Sequence, residues 1–390
     1  MTKVVTGLEV FLANPKPALL GRPWGLLANQ ASVGSNYRHA LTLLDDHYPG
    51  AIKAIFSPQH GWAGEKQDNM VESSHGQTRD GRPIYSLYGS TRQPQPDMLK
   101  QIQVLLIDLP DVGTRVYTFA QTMALCLEVA KENDLEIVIL DRPNPIGGLE
   151  VEGNIVDEDC RSFVGLHPIP IRHGLTLGEL ALFINSRLPK PARLTVIACQ
   201  NWPRSQYFHQ TGLPWVTPSP NMPTPETAWV YPGQVLWEGT NIAEARGTTR
   251  PFNLMGAPFL DSTLLIRELE KKRLAGVIFR EAWFQPTFHK WQNHFCAGLD
   301  IHPQDRSFTP FQSSLTILEI ILKHWPELLV LKNPPYEYDF KRRPIDLILG
   351  RRAIFDDLVA GRSAADICQS QRSELTNWLK DREEFLLYKN

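Results

Sequence analysis

Five short apolar runs constrain the fold of this chain more than any other feature. They are WGLLA (24–28), IKAIFS (52–57), VLLIDL (104–109), IVILD (137–141) and LTVIA (194–198). Continuous Val, Ile and Leu bounded by turns is the pattern of strands covered on both faces, hence of a parallel sheet. Between the runs lie helical spacings: Ala40, Leu41, Leu44 and Tyr48, then Phe119, Met123, Cys126, Leu127 and Ala130. In LTLGELALFIN, Thr176 stands as N-cap with Glu179 three residues on, a capping box. Strands alternating with helices read as an open α/β sheet with helices on both faces.

Beyond about Tyr231 the pattern changes. Helical periods appear in DSTLLIRELEKKR, SLTILEIILKHW and RSELTNWLKDREEFLLY, and strand-like stretches are few, GVIFR among them. The chain of 390 residues is too long for one ordinary core. It divides into a domain over 1–231 and a smaller α+β domain over 232–390.

A formal charge of −2, with 42% hydrophobic and 21% charged residues, describes a soluble globular protein with no electrostatic footprint for nucleic acid or an anionic membrane. Five scattered cysteines, none in a CxxC pair, support neither a zinc site nor a disulfide framework and fit reduced thiols in the cytoplasm. The N-terminus lacks the apolar core of a secretion signal, and no run approaches a membrane span. Proline is plentiful, with 31 residues, and its clusters alternate with aromatics, so they read as rigid ordered loops rather than disordered linkers. The sequence leaves oligomeric state open.

In an open α/β sheet, ligands bind outside the carboxyl ends of the strands. The polar bursts at the ends of the first four runs are Asn29 with Gln30, PQHGWAGEKQDN, DLPDVGTRVYT and DRPNPIGG. Two readings are open for these bursts, ordinary solvated turns or one shared ligand cleft. The kinds of residue, His60, Glu65, Asp108, Asp111, Arg115, Asp141, Arg142 and Asn144, favour the cleft. Glu65, Asp108, Asp111 and Asp141 are acid/base material, although an Asp at a strand end also binds loop amides. Arg115 and Arg142 either pair with these carboxylates or offer a donor fork to a substrate carboxylate. His60 reads as a proton shuttle, a substrate hydrogen-bonder or a packed structural histidine.

A second polar set, TPSPNMPT and WEGTNIAEARGTTRPF, gathers Asn221, Glu238, Thr240, Asn241, Glu244 and Arg246 near the domain boundary, where a loop would close a cleft or form a charged surface turn. There is no GxGxxG after the first run, and no GxxxxGK[ST], HExxH or GxSxG, so nucleotide-binding, zinc-peptidase and serine-hydrolase readings lack support. No spacing argues for a metal.

The stretches FSPQHGWAGE, GRPIYSLYG, DLPDVGTRVYT, LDRPNPIGGLEVEG, FVGLHPIPIRHGLTLGELA, TGLPWVTPSPNMPT and LWEGTNIAEARGTTRPFNLMGAPF resemble, in order, the exo-β-N-acetylmuramidase family of bacterial peptidoglycan turnover. The resemblance implies a Rossmann-like N-terminal domain, a smaller C-terminal domain and a cleft between them. It implies an exo-acting glycosidase, without nucleotide or metal cofactor, that removes N-acetylmuramic acid from non-reducing ends of peptidoglycan fragments. The substrate is then a small sugar or muropeptide, and the setting is cell-wall recycling. The lactyl carboxylate calls for Arg115, Arg142 or Arg246. The N-acetyl and hydroxyl groups call for Asn144, Asn221, Asn241 and Thr240, with Gln59, Asp111 and Asp141 completing the binding set.

One departure stands out. Many relatives read Pro-Glu-His-Gly, with that Glu a favoured catalytic residue, where this chain has Pro58, Gln59, His60 and Gly61. A glutamine cannot supply a proton at neutral pH. The expectation is a working hydrolase with Glu65 as acid, assisted by His60 and by Glu244, while Glu238 is another carboxyl able to act from across the cleft. The alternative is a muramyl-sugar binding or sensor protein that does not cleave.

Overall fold

The computed structural model describes residues 3–68 and 70–389. The apolar runs become the strands β1 (Trp24–Ala28), β2 (Ile52–Ser57), β5 (Val104–Asp108), β6 (Glu136–Leu140) and β9 (Arg193–Ile197). They join β3 (Gly76–Gln77) and β4 (Pro83–Ser86) in a seven-stranded sheet of order β3-β4-β2-β1-β5-β6-β9. All neighbours pair parallel except β3 with β4, an antiparallel edge. A small hairpin of β7 (Glu152–Ile155) and β8 (Pro170–Arg172) stands apart.

The runs are continuous because alternate residues feed two cores. Leu26, Val104, Leu106, Val138 and Leu140 pack with Leu8, Phe11, Ala40 and Leu44 of helices Gly7–Ala13 and Ala40–His47. Leu27, Leu105, Ile107, Ile137 and Ile139 pack on the opposite face with Met123, Leu127, Leu180 and Ile184 of helices Thr118–Ala130 and Leu177–Asn185. The second of these helices starts where the sequence marks it. The Thr176 hydroxyl accepts the Glu179 N–H at 3.2 Å, and Glu179 Oε2 accepts the Thr176 N–H at 3.0 Å.

From β1 the chain winds outward through β2 and β4, then returns to the other side for β5, β6 and β9. That reversal puts the crossing point between β1 and β5, where an open sheet leaves a crevice at its carboxyl edge.

The second half holds more strand than its sequence suggests. β10 (Leu254–Ala257), β11 (Val277–Phe284) and β12 (Cys296–Pro303) form an antiparallel sheet of order β10-β12-β11, flanked by helices Ser262–Lys272 and Pro310–His324. β12 reads CAGLDIHP, and its Gly, Asp and Pro conceal it from propensity; pairing on both sides overrides that.

The two halves share one apolar cluster, from Met123 and Phe119 to Leu315 and Leu318. The last residues also return to the first half. The Tyr388 hydroxyl donates to Asp141 Oδ2 at 2.5 Å, and the Trp378 indole N–H donates to the His173 carbonyl at 3.0 Å. Among the described residues no helix is long and apolar enough to cross a membrane.

Candidate functional site

β2 ends at Ser57, and the chain turns at once. His60 (φ 74°) and Gly61 (φ 85°) both adopt left-handed backbone. The turn is closed twice: His60 Nδ1 donates to the Lys66 carbonyl at 2.8 Å, and the Lys66 N–H donates to the His60 carbonyl at 3.1 Å. Burial pushes the His60 imidazole down to about 4, with Arg246 acting in the same sense. The ring is therefore neutral at pH 7, with Nε2 left as an acceptor.

This turn forms one wall of a small recess. Gln59, His60, Tyr117, Thr118, Ser219 and Asn221 come from the first half, and Glu238, Arg246, Phe252, Tyr336 and Glu337 from the second. Left-handed backbone at a residue with a side chain costs about 1–3 kcal/mol and concentrates where geometry is over-determined. Around this recess it occurs at His60, Met70, Ala245, Phe252, Glu337 and Tyr338.

Glu337 is the centre of the arrangement. Its residue is 4% exposed. Oε2 accepts the Tyr88 hydroxyl at 2.6 Å, and Oε1 accepts the Gln59 amide N–H at 3.1 Å. Gln59 is itself held, its Oε1 accepting the Thr118 hydroxyl at 2.5 Å. Burial pushes the Glu337 carboxyl up to about 7, and the charge of Glu238 acts with it; the Tyr88 and Gln59 hydrogen bonds and Arg246 pull the other way. A carboxyl titrating there keeps its proton on roughly half the molecules at neutral pH.

Glu238 is the second buried carboxyl. It accepts from Arg246 Nη2 at 2.7 Å and from the Tyr336 hydroxyl at 2.7 Å. Arg246 also meets Glu244 at 3.1 Å and Asp68 at 3.5 Å. Behind them, Glu244 is fully buried between Arg246, Lys290 (2.7 Å) and His289 (3.4 Å). Burial favours its neutral form, but Lys290, Arg246 and His289 overcome that and hold it down to about 2. Glu244 is thus a fixed carboxylate with no proton to give near neutrality.

A second recess lies at the β1–β5 crossing point. Asp111, Arg142, Phe208 and Trp215 line it among several prolines. The Asp111 carboxyl accepts the Gly113 N–H at 2.7 Å through Oδ2, while its buried Oδ1 has no hydrogen-bond partner among the described residues. Burial pushes it up to about 7. Arg142 is held by Asp108 through two bonds of 2.5 and 2.9 Å.

The residues singled out in the sequence therefore separate. Gln59, His60, Asn221 and Arg246 converge on the first recess, with Glu244 behind it, and Asp111 and Arg142 line the second. Glu65 is exposed, in a turn where its carboxylate accepts the Ala63 N–H at 3.3 Å. The others tie parts of the fold together. Arg115 donates to the carbonyls of Asn154, Ile169, Ile348 and Leu349. Asp141 binds Thr176, Gly178 and Tyr388. Asn144 bridges Ile146 and Leu175, Thr240 ties Trp237 to Ile242, and Asn241 clamps Leu328 and Val330. The sequence reading missed Glu337, Tyr88 and Tyr336. NPPYEYDF carries no periodicity, and its one signal is a carboxyl between two tyrosines in a proline-rich loop.

Fold and recess together define a Rossmann-like α/β protein with a recess lined from both halves and a buried carboxyl within it. The family model for the N-terminal region of exo-beta-N-acetylmuramidase NamZ matches residues 24–226, and the C-terminal model matches 229–388. The chain belongs to this family. It is 40% identical, over 99% of its length and 92% of the relative's, to the peptidoglycan beta-N-acetylmuramidase NamZ of Bacillus subtilis (strain 168). Two DUF1343 family proteins of Bacteroides fragilis NCTC 9343 have the same fold, with TM-scores of 0.88 and 0.76 at 30% and 29% identity, each covering both chains fully.

Proposed function

We propose that the protein is an exo-acting β-N-acetylmuramidase that releases N-acetylmuramic acid from non-reducing ends of peptidoglycan fragments, with Glu337 as proton donor. The observation that carries the donor assignment is a buried carboxyl held near pH 7 in a recess walled by both halves. Cleavage of a glycosidic bond needs an acid that still holds its proton at working pH, delivered as the bond to the anomeric carbon breaks. Glu337 has that proton, and Tyr88 and Gln59 fix its two oxygens. Glu238, pinned by Arg246 and Tyr336, supplies negative charge beside the positive charge that develops on the sugar ring. His60 offers an acceptor to a sugar hydroxyl through Nε2. Of the three arginines considered for the lactyl carboxylate, Arg246 lines this recess.

Glu65 is exposed and does not line the recess, so the donor role passes from it to Glu337. Asp111 is the competing donor, because it lines a second recess at the crossing point and its buried Oδ1 has no hydrogen-bond partner among the described residues. Asp111→Asn separates the two: loss of turnover equal to that of Glu337→Gln would move the chemistry to that crevice.

We also infer action inside the cell on fragments rather than on intact wall. Five unpaired thiols, four of them buried, support a reducing compartment. Substrate class is tested by comparing chromogenic β-glycosides of N-acetylmuramic acid and N-acetylglucosamine. The proposal requires release from the first at a rate well above the second; equal rates would remove the lactyl group from recognition.

A further inference from the structure

The oddity at Gln59 has a structural answer that rests on the reading of Glu337 as the acid. Gln59 Nε2 donates to Glu337 Oε1 at 3.1 Å, and the other end of the same amide is held by the Thr118 hydroxyl. All three residues are buried: Gln59 is 6%, Thr118 4% and Glu337 4% exposed. A proton donor that loses and regains its proton needs a neighbour able to serve both states. A carboxylate asks for N–H, and a carboxylic acid asks for an acceptor. An amide has both, one on each side, and a hydroxyl such as Thr118 accepts either face, since it donates or accepts with equal ease.

A carboxylate at position 59 has acceptors only. At 3.1 Å from Glu337 it would have to share one proton with it, as paired carboxyls do, and the pair would lose its protons in two widely separated steps. We propose that Gln59 is a positioning residue for Glu337: its amide, anchored by Thr118, fixes the acid's orientation and accommodates both of its protonation states, keeping its titration a single step.

Several other groups face Glu337. Tyr88 and Tyr231 come from the first half with Gln59, and Glu238, Arg246, Tyr336 and Tyr338 from the second. None of them changes in the three substitutions that probe the amide. Gln59→Met keeps length without polarity, Gln59→Glu introduces a carboxyl, and Thr118→Val releases the anchor. Two readouts are taken across pH: kcat and KM on a chromogenic muramic acid glycoside, and the infrared carboxylic-acid C=O band of Glu337, identified as the band absent in Glu337→Gln.

Removing a donor to the anion disfavours the anion. The Glu337 band in Gln59→Met should therefore persist about one pH unit higher, and the alkaline limb of kcat should move with it. kcat should fall about tenfold with KM changed less than about twofold, because the acid is misplaced and no sugar contact is lost. Thr118→Val should shift both in the same direction by less. Gln59→Glu should give two titration steps bracketing the parent's single one. A Glu337 band titrating at the parent pH in Gln59→Met and Gln59→Glu overturns the proposal. So does a rise in KM with kcat and its pH limb unchanged, which would make Gln59 a sugar contact. A shifted band combined with parental turnover in Glu337→Gln would uphold the coupling and overturn the donor assignment instead, so the two failures are distinct.

Discussion

Tyr88 and Glu337 stand 249 positions apart in the chain and meet through a hydrogen bond of 2.6 Å, the phenol donating to Oε2. The phenol also accepts the Met70 N–H at 3.0 Å, so its own position is fixed. Tyr88→Phe removes a donor that favours the ionised form, and the Glu337 pKa should rise. The alkaline limb of kcat/KM should move to higher pH by about one unit, the size expected for one hydrogen bond to a charged group. An unmoved limb would mean that another group sets it.

The same carboxyl links the site to stability. Its folded value of about 7 lies above the ordinary 4.5, so the folded state binds the proton more tightly than the unfolded one. The contribution is fully present below about pH 4.5 and is lost as pH rises through 7. At pH 8 the cost is on the order of 3 kcal/mol. Glu337→Gln should therefore be more resistant to urea than the parent at about pH 8, with the difference vanishing near about pH 4. A variant equally or less stable at the higher pH would argue against a strained, buried acid.

Glu244 should behave in the opposite way. It neutralises Lys290 and Arg246 in a buried cluster, so Glu244→Gln leaves two cations short of a partner. A loss of about 3–5 kcal/mol in urea unfolding is expected, with any fall in turnover following loss of folded protein. A fully stable variant with abolished turnover per folded molecule would return Glu244 to the chemistry.

Arg115 is a structural tie. Its guanidinium joins carbonyls at Asn154 and Ile169 to those at Ile348 and Leu349, and so joins the two halves. Arg115→Met should lower the melting temperature markedly while leaving KM for muramic acid glycosides near the parent value in the protein that remains folded. A selective rise in KM at unchanged stability would make it a carboxylate binder.

Glu65→Gln should leave the pH profile of turnover unchanged, because its exposed carboxylate accepts the Ala63 N–H and does not line the recess. A profile that loses its alkaline limb in this variant would restore Glu65 as donor.

The sheet was legible because its signal is local: Val104 and Leu106 face one core, Leu105 and Ile107 the other, and that demand writes an unbroken apolar run. The capping box at Thr176 is equally local. β12 was hidden because its strand character comes from partners on both sides rather than from Gly298, Asp300 or Pro303. The site was legible in part. His60 and Arg246 follow strand ends or loops whose polarity announces a recess, but Arg115, Asn144, Thr240 and Asn241 have the same composition and tie backbone groups together. Residue type alone does not separate those uses. Glu337 was illegible because its role arises from burial and from contact with Tyr88 and Gln59, neither of which leaves a trace in NPPYEYDF.

The most direct measurement is turnover of a chromogenic N-acetylmuramic acid β-glycoside by Glu337→Gln beside the parent, with sugar binding followed by the shift in melting temperature. The account predicts a fall in kcat of about 10²–10⁴ while the sugar still stabilises the variant. Release of the chromophore within a few-fold of the parent rate would contradict it.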